Sequence, residues 1–335
     1  MTTPSEPVLR SSTFRQSLMI SALFIGGLLL ANILLFNPGQ VSVVILSGFY
    51  QGMLFFLVAA GFAIIFGLLD VLNLAQGSFF MLGAYIGFAV YGALPLGTPI
   101  WARFVAALLS ATLGGAILGV TTELVLIRPL YARPVFQIVL TFGLGIVFNQ
   151  IVQAIYGPAG LIPVDPPDVL DTTFPIFGAQ FETYRVFIIG VGAVLMVAIL
   201  LLLQRTRIGI IIRAGVQDSQ MVEALGINVR RVFTLVFALG CAVAALGGMT
   251  AAPYLGAYPA MGDQFLISAV IVVVLGGMSS FEGTAIASIL VGLTRATAEQ
   301  ISLQYLQTPV LASLSILIVM IIVLLVRPSG LFGRE

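Results

Sequence analysis

The 335-residue chain has no histidine and no lysine; all fourteen basic residues are arginine. It carries one cysteine, Cys241, and charged side chains make up only 8% of it. Each absence closes a class of chemistry. Without lysine there is no G-x-x-x-x-G-K-[ST] phosphate loop, so the chain does not bind and hydrolyse ATP by that route. Without histidine, and with one thiol, a His or multi-Cys metal site and a Ser-His-Asp triad are excluded. One cysteine permits no intrachain disulfide. The inventory argues against a catalyst and against a metal or cofactor bound by this chain. A net charge of +1 carries no information about partners and gives no footing for nucleic acid.

What is present is apolar. The chain is 60% hydrophobic with a mean hydropathy of +1.15. A soluble protein of this length would need far more charge to cover its surface, so the class is an all-α, polytopic transmembrane bundle. Apolar runs follow one another at about Ser17–Phe36, Ser42–Leu69, Ser78–Leu94, Trp101–Ile127, Val135–Ile155, Arg185–Leu203, Val232–Leu255, Gln264–Met278, Thr284–Ala298 and Pro309–Val326. A helix needs about 20 apolar residues to cross the hydrocarbon layer, so most runs qualify alone. The reading is about ten crossings, or eight if the two short runs after Gln264 form one re-entrant pair. The first run is longer than a signal-peptide core and lacks an A-x-A-like site, which favours a retained helix.

Threading ten crossings with the N-terminus inside gathers Arg10, Arg15, Arg128, Arg133, Arg205, Arg207, Arg213, Arg230, Arg231, Arg327 and Arg334 on one side. Positive residues favour the cytoplasmic side, so both termini are expected there. This divides the chain into a cytoplasmic tail (1–16), a membrane domain (17–326) and a cytoplasmic tail (327–335). Residues 156–184, with five prolines and four acids, fall outside.

The longest basic interruption is Arg205–Arg231. Within it Asp218 is a plausible helix N-cap, and Met221, Ala224 and Leu225 make a small apolar face at i, i+3, i+4. Gly226 suits a left-handed helix end. A short amphipathic helix bracketed by arginines offers a docking knob to a soluble partner. The alternative is a solvated loop whose arginines only fix topology.

Two short polar, glycine-rich breaks interrupt the apolar pattern, at residues 67–78 and 276–284. Such breaks point to a transport path, because irregular backbone at membrane depth is tolerated where it lines a cavity or is buried in protein. Asn73, Gln76 and Gly77 in the first, and Gly276, Gly277 and Ser279 in the second, are the candidates for lining it. Asp70 reads instead as a helix end. Asn149 and Gln153 share a face at i, i+4, and so do Arg295 and Glu299, which could neutralise each other. Hydrogen bonding between helices explains these four as well as permeation does.

Several stretches resemble the permease subunits of branched-chain amino acid ABC importers, the LivH/LivM type, with the closer likeness to LivH. They are Phe66–Phe88 (FGLLDVLNLAQGSFFMLGAYIGF), Arg213–Val232 (RAGVQDSQMVEALGINVRRV), Val272–Leu293 (VVVLGGMSSFEGTAIASILVGL) and Val323–Gly333 (VLLVRPSGLFG). The chain departs from the pattern at Gln76, where relatives often carry histidine, and at Ser279, usually glycine. The resemblance implies that Arg213–Val232 is a coupling segment seated on an ATPase. It also implies a second permease of the LivM type, two P-loop ATPases that bind the ATP, and a periplasmic substrate-binding protein. Those partners belong with a multi-pass protein in the lipid of a bacterial inner membrane. The ligand implied is a branched-chain or related small amino acid, although similar permeases are assigned to urea, amides and aromatic acids. The competing class, an ion-coupled carrier or channel, needs a buried titrating carboxylate, for which only Asp70, Glu123 and Glu299 offer themselves.

Overall fold

The computed structural model describes residues 6–333 except 96, 132, 161–163, 218, 225, 227, 279 and 309; at 6–17, 208, 213, 216, 217, 219, 220, 224 and 306 it describes backbone alone. Asp218, Leu225 and Ser279 therefore lie outside the described residues. The described chain forms α1 (Glu6–Leu35), α2 (Pro38–Leu69), α3 (Gln76–Ala93), α4 (Ile100–Thr122) and α5 (Pro134–Tyr156). A hairpin of β1 (Thr173–Ile176) and β2 (Ala179–Glu182) follows. Then come α6 (Thr183–Arg205), α7 (Arg207–Gln217), α8 (Ser219–Ala224), α9 (Val229–Leu255), α10 (Met261–Gly276), α11 (Phe281–Ile301) and α12 (Val310–Val326).

Six of these helices are long and apolar enough to cross a membrane, or seven if the α10–α11 pair, bent by 119°, is one span. That is fewer than the ten runs read from the sequence. The difference lies in α3, α10 and α12, with 18, 16 and 17 residues, and in α11, which qualifies only together with α10. The expected N-terminal tail is helical from Glu6 onward. Residues 156–184, the proline-rich acidic connection of a chain expected to be all-α, hold a hairpin. Its strands pair Thr173 with Glu182 through Ile176 with Ala179, and both turn residues, Phe177 and Gly178, take positive φ, as tight hairpin turns require.

Local chemistry sets several helix boundaries. Asn37 and Gln40 form a capping box ahead of α2, Pro38 occupies its first turn, and Asp70 ends it in the left-handed region at φ 53°. Asn228 caps α9 by accepting from the Arg231 amide (3.1 Å), and Ser280 caps α11 by accepting from the Gly283 amide (3.0 Å).

α2 is apolar around its whole circumference, and a helix of that kind belongs in an interior. It is indeed the central post, buried from Met53 to Ile65 among α9, α10, α11 and α6. Small residues set the spacing, as expected where lipid supplies little drive for helices to associate. Gly48 and Gly52 of α2 face Leu293 and Ser288 of α11; Gly83 of α3 and Gly115 of α4 both press on Ala245 of α9.

The helices fall into two series, α2–α5 and α9–α12, that meet equivalent neighbours in opposite directions. α2 packs along α11 as α9 packs along α4; α3 leans on α9 as α10 leans on α2; α3 packs on α4 as α10 packs on α11. α2 and α9 run antiparallel, with Tyr50 beside Tyr254 at one end and Gly61 against Gly240 further along. α4 and α11 each run on into a π turn, Glu123–Ile127 and Ser302–Leu306. The short helices α3 and α10 both begin inside the bundle, and their second residues, Gly77 and Gly262, touch backbone to backbone. One end of the bundle carries the hairpin and Arg103, Arg185 and Arg295. The other carries Arg128, Arg133, Arg205, Arg207, Arg230, Arg231 and Arg327 at helix ends.

Candidate functional site

At the hairpin end, α2, α6, α9, α10 and α11 enclose a cavity of about 390 Å³. Its apolar lining includes Val43, Val44, Leu54 and Leu255, and Phe55 and Phe265 sit 6.1 Å apart between ring centres. Phe265 in turn stacks on Phe80 of α3 at 4.6 Å. Its polar and charged lining is Tyr50, Gln51, Arg185, Tyr254, Arg295 and Glu299.

Arg185 is held on every side. Its Nε donates to Glu182 (3.0 Å), its terminal nitrogens donate to Ser47 (3.3 Å) and to the Tyr254 hydroxyl, and its guanidinium lies 5.0 Å from the Tyr254 ring centre. Arg295 and Glu299 are held far more loosely. They do not neutralise each other; the ion pairs among the described residues are Arg185–Glu182 and Arg128–Glu123. Glu299 accepts from the Gln51 amide (2.8 Å), and the Arg295 guanidinium lies 5.4 Å from the Phe55 ring centre. Arg295 Nε and Gln51 Oε1 are buried without a hydrogen-bond partner among the described residues. Burial pushes the Tyr258 phenol, in the α9–α10 connection, above its ordinary range, and Arg295 pulls it the other way. Sequence reasoning missed Tyr50 and Gln51. The available signal was one glutamine within the otherwise apolar 42–69 run.

The first polar break, residues 67–78, folds into the bundle, and its centre is braced by hydrogen bonds. Asn73 and Gln76 have no exposed surface. Asn73 Nδ2 donates to Gln76 Oε1 (3.0 Å), and Gln76 Nε2 donates to the Gly240 carbonyl of α9 (2.9 Å). Asn73 Oδ1 accepts from the Ala75 amide (3.2 Å), and Thr141 of α5 accepts from the Leu74 amide (3.2 Å). Gly77 lets α3 meet Gly262 of α10. The connection between α9 and α10 is braced similarly: Asn149 of α5 donates to the Pro259 carbonyl (3.0 Å) and accepts from Gln153. Asp70 is an exposed helix cap, as its sequence position suggested.

The second break lies at the arginine end, against the C-terminal segment. The Leu331 and Phe332 amides donate to the carbonyls of Leu275 and Gly276 (2.7 and 3.0 Å), completing the end of α10. Gly276 abuts Gly283, and Gly277, at φ +98°, lies against Gly333. Gly276 and Gly277 thus make the close approach between α10, α11 and the C-terminus.

The basic segment between α6 and α9 forms α7 and α8. The expected short helix spans Ser219–Ala224, with Gly226 in the left-handed region at φ +83°. Met221 is 64% exposed, whereas Val222, not part of the expected apolar face, is the residue that turns inward. Beside this segment a closed polar cluster ties α9 to α4. Glu123, fully buried, accepts from Arg128 Nε (3.3 Å), the Tyr131 hydroxyl (2.8 Å) and the Thr234 hydroxyl (2.8 Å). Arg128 also donates to Thr234 Oγ1 (2.8 Å).

Residues 44–324 match the family model described as branched-chain amino acid transport system / permease component. The high-affinity branched-chain amino acid transport system permease protein LivH of Escherichia coli is 28% identical over 297 residues, which cover 86% of this chain and 94% of LivH. BraD of Pseudomonas aeruginosa, named for the same kind of system, is 26% identical over 87% of this chain and 95% of its own. LivM of E. coli is 26% identical over 86% of this chain and 70% of its own.

Proposed function

The chain belongs to the branched-chain amino acid transport permease family, and from that premise we propose that it is the membrane-spanning permease subunit of a bacterial ABC importer. It sits in the inner membrane and forms the path for branched-chain or related small amino acids. It works with a second permease of the LivM type, two P-loop ATPases and a periplasmic binding protein. The observation that carries this reading is the family match across nearly the whole membrane domain, with LivH-type and LivM-type relatives both aligning to it.

The arginine-rich end is cytoplasmic and the hairpin end periplasmic, supported by the segregation of arginines to one end. α1 and α12 then place both termini in the cytoplasm. The apolar runs count as ten, with α3 and α10 beginning inside the bundle. The residues 218–226 form the coupling segment, and exposed Met221 supports that role. ATP-driven closure of the ATPases pushes on α8 and displaces the start of α9, which Thr234 ties to Glu123 and Arg128. α9 carries the movement to the Gly240 carbonyl held by Gln76, and on to Tyr254 at the cavity. In this state Asn73, Gln76 and Gly77 floor the path, while Gly276 and Gly277 belong to its cytoplasmic closure. A packed helix with bonds at three depths is a physical route for coupling.

The test is to replace Met221, Ala224 and Leu225 together with aspartate in the co-expressed complex. The ATPases are expected to stop co-purifying and leucine uptake to cease, while membrane insertion stays intact. Retention of the ATPases with normal uptake would remove the coupling role from this segment.

A further inference from the structure

Arg295 and Glu299 are ionisable side chains on one face of a membrane helix, and such residues are held there by a partner or by a function. Neither has an ionic partner among the described residues. Arg295 and Gln51, both lining the cavity, each leave one buried polar atom unbonded, and leaving such atoms unbonded is costly. One is a donor, Arg295 Nε, and the other an acceptor, Gln51 Oε1. Four residues apart on α11, Arg295 and Glu299 stand about 6 Å apart along the helix axis. The same lining holds Leu54, Phe55 and Phe265, with Phe55 directly under the Arg295 guanidinium, and the volume of about 390 Å³ lies within the range of small-ligand sites.

Taken with the permease reading, on which it rests, this arrangement leads us to infer that the cavity is a zwitterion station for an α-amino acid with an apolar side chain. Arg295 donates to the substrate carboxylate. The substrate ammonium donates to Gln51 Oε1 and to Glu299. Leu54, Phe55 and Phe265 take the hydrocarbon side chain. Arg185 is excluded from the role because its charge is paired with Glu182 and each of its three nitrogens already donates, to Glu182, Ser47 and Tyr254. The permease itself therefore checks for both charges of the backbone, in addition to any selection by the binding protein.

The complete importer, reconstituted with both permeases, its ATPases and its binding protein, is loaded with a diazirine analogue of leucine and irradiated. Label is expected on α2 near Leu54 and Phe55 or on α11 near Ala296. Leucine should displace it, whereas 4-methylpentanoate and 3-methylbutylamine, which each lack one charge, should not. Arg295→Gln and Glu299→Gln should each lower leucine uptake per assembled complex about tenfold or more, the loss expected for one charged hydrogen bond, with Arg295→Lys intermediate. Label elsewhere in the wild-type permease, equal displacement by the one-charge analogues, or undiminished uptake in both assembled variants would each overturn the site. Those three results leave the permease reading standing, because wild-type uptake is measured alongside. Absence of leucine, isoleucine and valine uptake by the wild-type complex would overturn the permease reading and the station together.

Discussion

The ends of α4 and α11, equivalent helices in the two inverted series, each carry one arginine and one glutamate about a turn apart, and the two pairs have opposite fates. Glu123 is fully buried and accepts from Arg128, Tyr131 and Thr234. Glu299 accepts from Gln51, and Arg295 rests over an aromatic face. The first pair is closed by protein and the second is left open. Similar residues at similar spacing thus serve two ends: a satisfied cluster fixes one helix to another, and an unsatisfied one waits for a ligand.

The largest effect should come from breaking the closed pair. Arg128→Met leaves a buried carboxylate without its countercharge and should cost about 3 kcal/mol, the lower end for broken buried pairs because Arg128 is partly exposed. Adding Glu123→Gln should recover most of that loss. The same cycle with Arg295→Met and Glu299→Gln, without substrate, should show coupling of about 0.5 kcal/mol or less, since no bond joins the two. Thermal stability of the purified protein in detergent reads both cycles. Strong coupling at Arg295–Glu299, or none at Glu123–Arg128, would reverse the comparison.

Composition made the class of fold plain, and the periodic apolar runs placed most helices within a few residues. Two features escaped for physical reasons. Run length does not say whether a helix begins at the membrane surface or inside the bundle, so α3 read as an ordinary crossing and the α10–α11 pair as either two crossings or one re-entrant pair. The hairpin strands are four residues each, too short for alternation to stand out among the prolines of 156–184. For the site, α11 spacing picked out Arg295 and Glu299, and i, i+4 proximity suggested that they pair. Gln51, reaching from α2 across more than two hundred positions of sequence, takes Glu299 instead. No local pattern carries that information. The Glu123–Arg128 partnership, by contrast, is local, five positions apart in the sequence.

A smaller loss should follow from separating the helices that hold the open pair. A Cβ on Gly52 would sit 2.8 Å from the Ser288 carbonyl oxygen and 3.1 Å from Ile289 Cα, and backbone has no rotamer with which to yield. Gly52→Leu should therefore destabilise the protein by about 1–3 kcal/mol through overpacking. It should also pull Gln51 away from Glu299 and depress uptake, while the Glu123–Arg128 coupling measured in the same background stays unchanged. A drop in that coupling would show that the two ends are not mechanically separate.

The smallest effect sharpens the closed side of the comparison. Tyr131 donates to Glu123, and its phenol is held well above its ordinary value, first by burial and then by the adjacent carboxylate. A raised folded-state value means the phenol stays protonated. Its contribution is then fully present below the ordinary tyrosine value of about 10 and is lost only as pH rises through the higher folded value. Tyr131→Phe should cost about 1–2 kcal/mol, as one hydrogen bond to a charged group. The stability gap between wild type and variant should stay flat from about pH 6 to about pH 9, a window wholly below that threshold. A gap that widened on alkaline titration inside this window would mean that Tyr131 ionises in the folded protein below its ordinary value. The cluster at the end of α4 would then be as open as the pair on α11.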